Sequence, residues 1–180
     1  MNQEPCAPCM GKCLLHVNEL VFALKGARDP MSELDDFLTM TLARQVEAEK
    51  ALHNGDPTLR MQMWSTQDPV TLLGAVKSNS GWDEVSQVFR WLASRFSDCT
   101  SFRFDLVAAG VSGDLAYTVG YEHTSVSVDG VPVEPYTLRV THVYRRENGE
   151  WKIVHRHGDP VPDADSLQAV SIIGKPPADQ

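Results

Sequence analysis

The chain has 180 residues, a net charge of −8, 42% hydrophobic and 22% charged residues, a composition typical of one soluble globular domain. Its acidic balance argues against a nucleic-acid-binding protein, which normally presents a basic surface. No apolar run approaches the roughly 20 residues that span a bilayer, and the N-terminus lacks the basic region of a signal peptide, so we expect a cytoplasmic protein without a membrane partner.

Residues 1–30 are interpreted as a peripheral N-terminal extension. They hold three of the four cysteines, followed by a histidine, at Cys6, Cys9, Cys13 and His16. Thiolates and imidazoles can bind metals, but this Cys-x2-Cys-x3-Cys-x2-His spacing fits no metal module, so we predict a reduced extension and no metal site. The main domain is predicted over residues 31–163, and residues 164–180 form a tail.

Three helices are predicted from capping residues and apolar periodicity. Ser32 is a suitable N-cap and Gly55 a suitable C′ residue, and they bound a helix over Met31–Asn54. Asp56-Pro57 then begins a short second helix, with proline at its first position. The third helix is predicted over Trp82–Ser97, from apolar residues at helical spacing: Val85, Val88, Phe89, Leu92 and Phe96.

The remaining segments are rich in strand-forming residues and tight turns. Strands are predicted over three segments: Met63–Gly74 with a break at Asp68-Pro69, Phe102–Ala109 and Leu115–Val128. Two more strands flank the turn pair Asn148-Gly149, between Thr137 and Asp159. Helices followed by an antiparallel meander predict an α+β domain in which one sheet curls over the helices.

The register of the last two strands decides which of their side chains face the helices. A two-residue loop at Asn148-Gly149 would pair Tyr144 with Ile153, whereas a turn with only the glycine left-handed would pair Val143 with Ile153. We predict the second register, because Val143, Trp151 and Ile153 then share an inner face. The same face would carry four polar residues: Arg139, Thr141, His155 and His157.

This closing hairpin resembles the last strands of the NTF2-like, or SnoaL-like, superfamily. The shared motif is Arg139-x-Thr141-x-Val143-x-Arg145-Arg146-x-x-Gly149-x-Trp151-x-Ile153-Val154-His155-x-His157. It is similar to ketosteroid-isomerase-like proteins and to the association domain of calmodulin-dependent kinase II. The resemblance implies an NTF2-like cone, a curved antiparallel sheet wrapped over N-terminal helices, with a pocket at its wide end. This fold hosts enzymes, binding proteins and oligomerisation modules alike.

Alternation assigns the two faces of the strand Leu115–Val128. Its small residues and one acid are predicted to face inward: Ala116, Thr118, Gly120 and Glu122. The hairpin would expose a largely apolar outer face: Leu138, Val140, His142 and Tyr144. Such a surface needs a cover, and the resemblance implies that a second copy of the chain supplies it in a homodimer. The extension or the tail is the alternative cover.

In this resemblance, Asp68 stands where ketosteroid-isomerase-like enzymes carry their general base. A carboxylate in an apolar pocket has a raised pKa and can accept a proton. We expect three aromatic residues in the pocket wall: Trp64, Trp82 and Phe89. His155 or His157 would orient or protonate the ligand. The alternative for Asp68 is a turn or cap before Pro69.

Polar residues at the inner rim complete the predicted site. Glu122, Arg139 and Thr141 are expected to bind the ligand, with Arg139 suited to a ligand carboxylate. The alternative is a buried salt-bridged network that closes the cone. Steroid isomerisation itself is not expected, because Ala48 stands where those isomerases carry a tyrosine that binds the oxyanion.

The sequence therefore predicts a protein that binds a small organic ligand, with cofactor-free acid/base chemistry of the isomerase, dehydratase or cyclase type. The alternative is a non-catalytic oligomerisation module with a vestigial pocket. The enzyme hypothesis requires Asp68 unpaired inside a cavity, whereas the module hypothesis requires a cavity filled by side chains. Neither hypothesis includes a cofactor, a metal or a nucleic acid.

Overall fold

The computed structural model describes residues 30–162. The helices in this range are α1 (Pro30–Leu52), α2 (Thr58–Met63) and α3 (Trp82–Ala93). The strands are β1 (Thr71–Leu73), β2 (Ser78–Ser80), β3 (Phe96–Ser112), β4 (Leu115–Val128), β5 (Val131–Pro132), β6 (Tyr136–Glu147) and β7 (Glu150–Pro160). The cysteine-rich extension and the tail lie outside the described residues. None of these helices is long and apolar enough to cross a membrane.

The helices occur where the sequence predicts them, with one difference in length. Gly55, with a φ of 92°, follows α1 and allows the chain to turn into α2. Helix α3 ends at Ala93 rather than at Ser97. Residues 94–95 form a turn and β3 begins at Phe96, because Phe96 pairs with Val128 of β4 and its ring lies 4.6 Å from that of His53.

The strands form one curved mixed sheet in the order β2-β1-β7-β6-β4-β3, with β5 beside β4. Only β1 and β7 are parallel to each other. The predicted strand over residues 63–74 is reduced to β1, and β3 extends beyond Phe102–Ala109 at both ends. Strand β2 has no counterpart among the predicted strands. The predicted α+β class, with the sheet curved over the helices, is confirmed.

The hydrophobic core lies between the helices and the inner face of the sheet. Phe37 of α1 packs edge-on against Tyr144 of β6, with ring centroids 5.1 Å apart. Trp64 packs in the same way against Phe89 of α3, at 5.0 Å. Burial of these large side chains is the main favourable term that holds the layers together.

The register predicted for the closing hairpin is wrong. Glu147 pairs with Glu150, so the loop has two residues, and Tyr144 pairs with Ile153. Asn148 and Gly149 both have positive φ, 51° and 85°. Two left-handed residues match the twist of the flanking strands, and asparagine tolerates this conformation better than most residues.

This register turns the predicted polar face of the hairpin outward. The inward residues of β6 are Val140, His142 and Tyr144, all buried. Val154 is an extra residue in β7, because Tyr144 pairs with Ile153 while Val143 pairs with His155. The four polar residues that were predicted to face inward therefore lie on the outer face: Arg139, Thr141, His155 and His157. Trp151 and Ile153 do face inward, as predicted. The inward face predicted for β4 is confirmed, since its four residues are buried.

Candidate functional site

A cavity of about 390 Å³ lies between α1, α3 and the inner face of the sheet. Its wall is mostly apolar and includes Leu52, Leu72, Val88, Phe89, Leu92 and Phe96. The exposed residues 75–77 of the β1–β2 loop also line it, so the cavity reaches the surface beside this loop. An apolar cavity of this size with a few polar groups is typical of a site for a small organic molecule.

A buried ion pair crosses the sheet at the polar end of the cavity. Arg156 Nη2 of β7 donates to Glu122 Oε2 of β4 over 2.6 Å, and both side chains are buried. The guanidinium reaches past β6, which lies between the two strands, and runs over Gly158. A Cβ at Gly158 would lie 2.8 Å from Arg156 Cζ, so the missing side chain makes room for the pair.

A second buried ion pair, between Glu49 of α1 and Arg60 of α2, borders the same end of the cavity. Burial and the nearby charge of Arg156 lower the pKa of Arg60 to about 9, which leaves its guanidinium charged at neutral pH. The four charged groups therefore consist of two carboxylates and two guanidiniums, each joined to an opposite charge.

His53 is a neutral imidazole at this polar end. Its Nδ1 lies 2.7 Å from the main-chain oxygen of Glu49, and because a carbonyl can only accept, Nδ1 carries the proton. Its Nε2 is then an acceptor, 3.3 Å from Tyr136 Oη. Burial lowers the pKa of His53 to about 4 and raises that of Tyr136. In this arrangement the phenol donates its one proton to Nε2, so a ligand reaches the imidazole acceptor or the phenol donor only by replacing that hydrogen bond.

Lowering the pH from 7 to 5 is expected to reduce the free energy of unfolding by about 2 kcal/mol through His53. The unfolded chain binds a proton near pH 6.5, whereas the folded imidazole stays neutral down to a pKa of about 4. The unfolded state therefore binds more protons in this window, and stability rises with pH. The buried His142, whose pKa is also lowered, acts in the same direction.

Urea denaturation of the parent and of His53→Gln between pH 5 and pH 7 measures this contribution. His53→Gln should lose much of the pH dependence of the free energy of unfolding and retain the part due to His142. An unchanged slope would contradict the assignment of His53.

The structure brings only two of the predicted site residues, Phe89 and Glu122, to the cavity wall. Trp64 is buried in the core behind Phe89, and Trp82 is partly buried against the same core. Three more of the predicted site residues line a separate hollow of about 160 Å³ on the outer face of the sheet: Arg139, Thr141 and His157. Arg139 is paired there with Asp159. His155 hydrogen-bonds through Nδ1 with Thr71 Oγ1 of the neighbouring strand at 2.7 Å.

Asp68 is exposed and lies outside the cavity. Its Oδ1 accepts a hydrogen bond from the main-chain nitrogen of Trp82 over 3.1 Å. The carboxylate thus caps the N-terminus of α3, where a negative charge also interacts favourably with the helix dipole. The apolar surroundings expected for a general base are absent, and the alternative role as a cap describes its contacts.

We expect Asp68→Ala to lower the free energy of unfolding by about 1 kcal/mol, because α3 loses its cap. Asp68→Asn should recover most of this loss, since an amide oxygen can accept the same hydrogen bond. Neither variant should alter binding in the cavity. Thermal denaturation with and without a bound ligand measures both effects, and loss of binding with intact stability would restore Asp68 as a site residue.

Sequence reasoning missed the polar residues that do surround the cavity: Glu49, His53, Arg60, Tyr136 and Arg156. One signal was available in α1 and the residue after it, where buried residues follow each other at intervals of four from Phe37: Thr41, Gln45, Glu49 and His53. A polar row that continues an apolar helix face indicates buried polar groups, which need partners from elsewhere in the fold.

The alternative of a vestigial pocket required an interior filled by side chains, and the cavity is open instead. The residues available for catalysis also differ from those of the enzyme hypothesis. Asp68 lies outside the cavity, and His53 lies at the polar end of the cavity.

Several solved structures are similar to this chain. An NTF2-like superfamily protein from Salmonella enterica serovar Typhimurium is 20% identical, with a TM-score of 0.63 over 74% of this chain and 95% of that one. A candidate dehydratase of the NTF2-like family from Streptomyces avermitilis is 21% identical, with a TM-score of 0.57 over 72% and 99%. A candidate calcium/calmodulin-dependent protein kinase type II association domain from Thiobacillus denitrificans is 18% identical, with a TM-score of 0.57 over 68% and 96%.

At these identities the likeness concerns the fold. No curated protein matches the chain. A family model, that of the SnoaL-like domain, matches residues 45–163, which is more than half of the chain and includes the sheet and most of the polar residues at the cavity. The chain therefore belongs to the SnoaL-like domain family and has the NTF2-like fold.

Proposed function

We propose that this SnoaL-like domain binds a small, largely apolar organic molecule in the cavity between α1, α3 and the sheet. The observation that supports this most strongly is the open cavity of about 390 Å³, apolar along its wall and polar at one end. Apolar walls favour the body of a ligand, and a few fixed polar groups favour one orientation of it.

The same site is suited to cofactor-free proton transfer of the kind that isomerases, dehydratases and cyclases use. His53 Nε2 is an unprotonated acceptor at neutral pH, and Tyr136 Oη lies 3.3 Å from it. In this proposal the ligand replaces the hydrogen bond between the two residues. His53 Nε2 then removes a proton from the ligand, and the hydroxyl of Tyr136 donates to a ligand carbonyl. These two residues replace the predicted group of Asp68, His155 and His157.

A thermal-shift screen with carboxylates, polyketide-like aromatics and steroids tests the binding proposal. A ligand that binds the folded state raises the melting temperature of the parent by mass action. His155→Ala, which changes the same residue type on the outer face, should keep the shift, and His53→Ala should reduce it. Equal shifts in both variants would remove His53 from the site, and no shift with any compound would contradict the proposal.

Turnover is tested with a ligand found in that screen. Exchange of an acidic C–H of the ligand for deuterium in D₂O, followed by NMR, reports proton removal directly. We expect exchange with the parent and with His155→Ala, and a loss of at least about a hundred-fold in His53→Ala, as is usual when a general base is removed. Binding without exchange in the parent would leave a binding protein and exclude the catalytic part.

We also propose that two copies associate through the outer face of the sheet. The apolar residues that were predicted to form this interface do not lie there, because Val140, His142 and Tyr144 face inward. Exposed apolar residues of the outer face are instead on β3 and β4: Val107, Leu115, Tyr117 and Tyr121. Light scattering should give twice the 19.9 kDa of one chain, and Tyr117→Lys should shift the mass toward the monomer. A monomeric parent would contradict this proposal.

A further inference from the structure

Resting on the proposed function, we propose that the cavity selects ligands whose polar group is uncharged and carries both a donor and an acceptor, such as a hydroxyl or an enol, over the corresponding carboxylates. The sequence suggested the opposite, a carboxylate held by Arg139, but that residue lies on the outer face beside Asp159. The distribution of charge at the polar end of the cavity is the reason for this preference.

The charges at this end are already balanced. Arg156 is joined to Glu122 and Arg60 to Glu49, and all four side chains are buried. His53 adds no charge at neutral pH, because burial lowers its pKa. A carboxylate placed here would leave water without meeting an uncommitted cation, and it would lie beside two other carboxylates. A neutral group loses far less solvation on entry.

Hydrogen-bonding capacity remains at the same residues. Within residues 30–162, eight buried side-chain atoms have no hydrogen-bond partner, and three of them belong to residues that line the cavity: Glu122 Oε1, Arg60 Nε and Arg156 Nε. One is an acceptor and two are donors, and all three residues line the cavity. A hydroxyl can donate to the carboxylate oxygen and accept from a guanidinium, whereas a carboxylate can only accept. Polar groups that are buried without partners favour a ligand that completes their hydrogen bonds.

Two other cationic side chains line the cavity, and neither belongs to its buried polar end. Lys77 belongs to the exposed β1–β2 loop and lies over the ring of Trp91, 4.2 Å from its centroid. Arg95, near the end of α3, is paired with Asp129. Lys77 is therefore the cation that could hold a carboxylate at the entrance, outside the buried polar end.

A matched set of probes with one apolar body tests the inference: 2-naphthalenemethanol, 2-naphthoate and 2-naphthylmethylamine. Their affinities for the full chain are measured by calorimetry at pH 7.5. We expect the alcohol to bind at least about ten-fold more tightly than either charged compound. Lys77→Met should leave the alcohol unchanged and remove any weak binding of naphthoate at the entrance.

A charge-neutralising variant then changes the preference. Glu122→Gln retains the shape of the side chain and an oxygen that accepts from Arg156, but it removes one negative charge, so naphthoate should gain relative to the alcohol by about ten-fold or more. The matched control is Asp159→Asn, which frees Arg139 on the outer face and changes the net charge by the same amount. It should leave the preference as it is in the parent.

Tighter binding of naphthoate than of the alcohol to Lys77→Met would overturn this inference and leave the proposed function intact. An equal change of preference in Glu122→Gln and Asp159→Asn would also overturn it, because the effect would then be that of net charge. Absence of binding by all three probes would count against the proposed function itself. Should Glu122→Gln fail to fold, as judged by its thermal transition, the order of affinities in the parent still decides.

Discussion

Replacing Arg156 with alanine is expected to lower the free energy of unfolding by about 3–5 kcal/mol, because it leaves the buried carboxylate of Glu122 without its partner. Both side chains of the pair are almost fully buried, so the carboxylate would lose its partner at a place with little access to water. Urea denaturation of the parent and of Arg156→Ala gives the difference directly.

The chain offers a matched control for this variant. Arg139 of β6 forms an ion pair of the same kind with Asp159 of β7. This pair lies on the outer face of the sheet, where both side chains are partly exposed. Arg139→Ala should cost only about 0–1 kcal/mol, because solvent screens the exposed pair. A double variant, Glu122→Leu with Arg156→Met, should recover much of the loss, since buried pairs can be replaced by apolar residues. Equal losses in Arg156→Ala and Arg139→Ala would contradict the assignment of the buried pair.

Gly120→Ala is expected to destabilise the protein by about 3 kcal/mol or more, at the upper end of overpacking effects. Gly120 lies on the inner face of β4, where a Cβ would clash with the main-chain oxygen of Asp105 and lie 2.6 Å from the ring of Phe104. The oxygen belongs to the paired strand β3, so it cannot move away without disturbing the ladder.

Another glycine in the same pair of strands provides the comparison. Gly113 forms the turn between β3 and β4 with a φ of 59°, and no neighbouring atom of residues 30–162 lies within 4 Å of the position of its Cβ. Gly113→Ala should therefore cost only about 1 kcal/mol, the penalty for a left-handed non-glycine residue. Thermal denaturation of both variants separates the two cases. A loss at Gly120 no larger than that at Gly113 would show that β3 can move aside.

The parts of the fold that depend on local signals were predicted well. Strand β4 spans Leu115–Val128 as predicted, because alternation and turn residues at both ends define it. Helix α1 ends near Gly55 for a similar reason. Each of these features is determined by residues that are neighbours in the chain.

The faces of β6 were predicted wrongly, although the sequence contained the evidence. The side with Leu138, Val140 and Tyr144 is the more apolar one, and burial of apolar area favours placing it against the helices. The prediction instead assigned it to a dimer interface. In β7 the extra residue Val154 changes the alternation, and a bulge of this kind leaves no mark in the pattern of residue types.

The polar end of the cavity could not be assembled from the sequence. Glu122 and Arg156 are 34 residues apart, and they meet because β6 alone lies between β4 and β7. His53 and Tyr136 are 83 residues apart, the first directly after α1 and the second in β6. The family resemblance placed Asp68 on a strand that lines the pocket. The segment around Asp68 is irregular instead, and its carboxylate contacts the start of α3.

The pairing of β1 with β7 has a consequence for synthesis of the protein on the ribosome. Thr71 and its partner His155 are separated by 84 positions, and β7 is the last strand of the domain. The β1–β2 hairpin therefore emerges early but has no neighbouring strand to join until nearly the whole domain has been translated. The entrance to the cavity is completed only then, so a nascent chain halted before Glu150 should not bind the ligand.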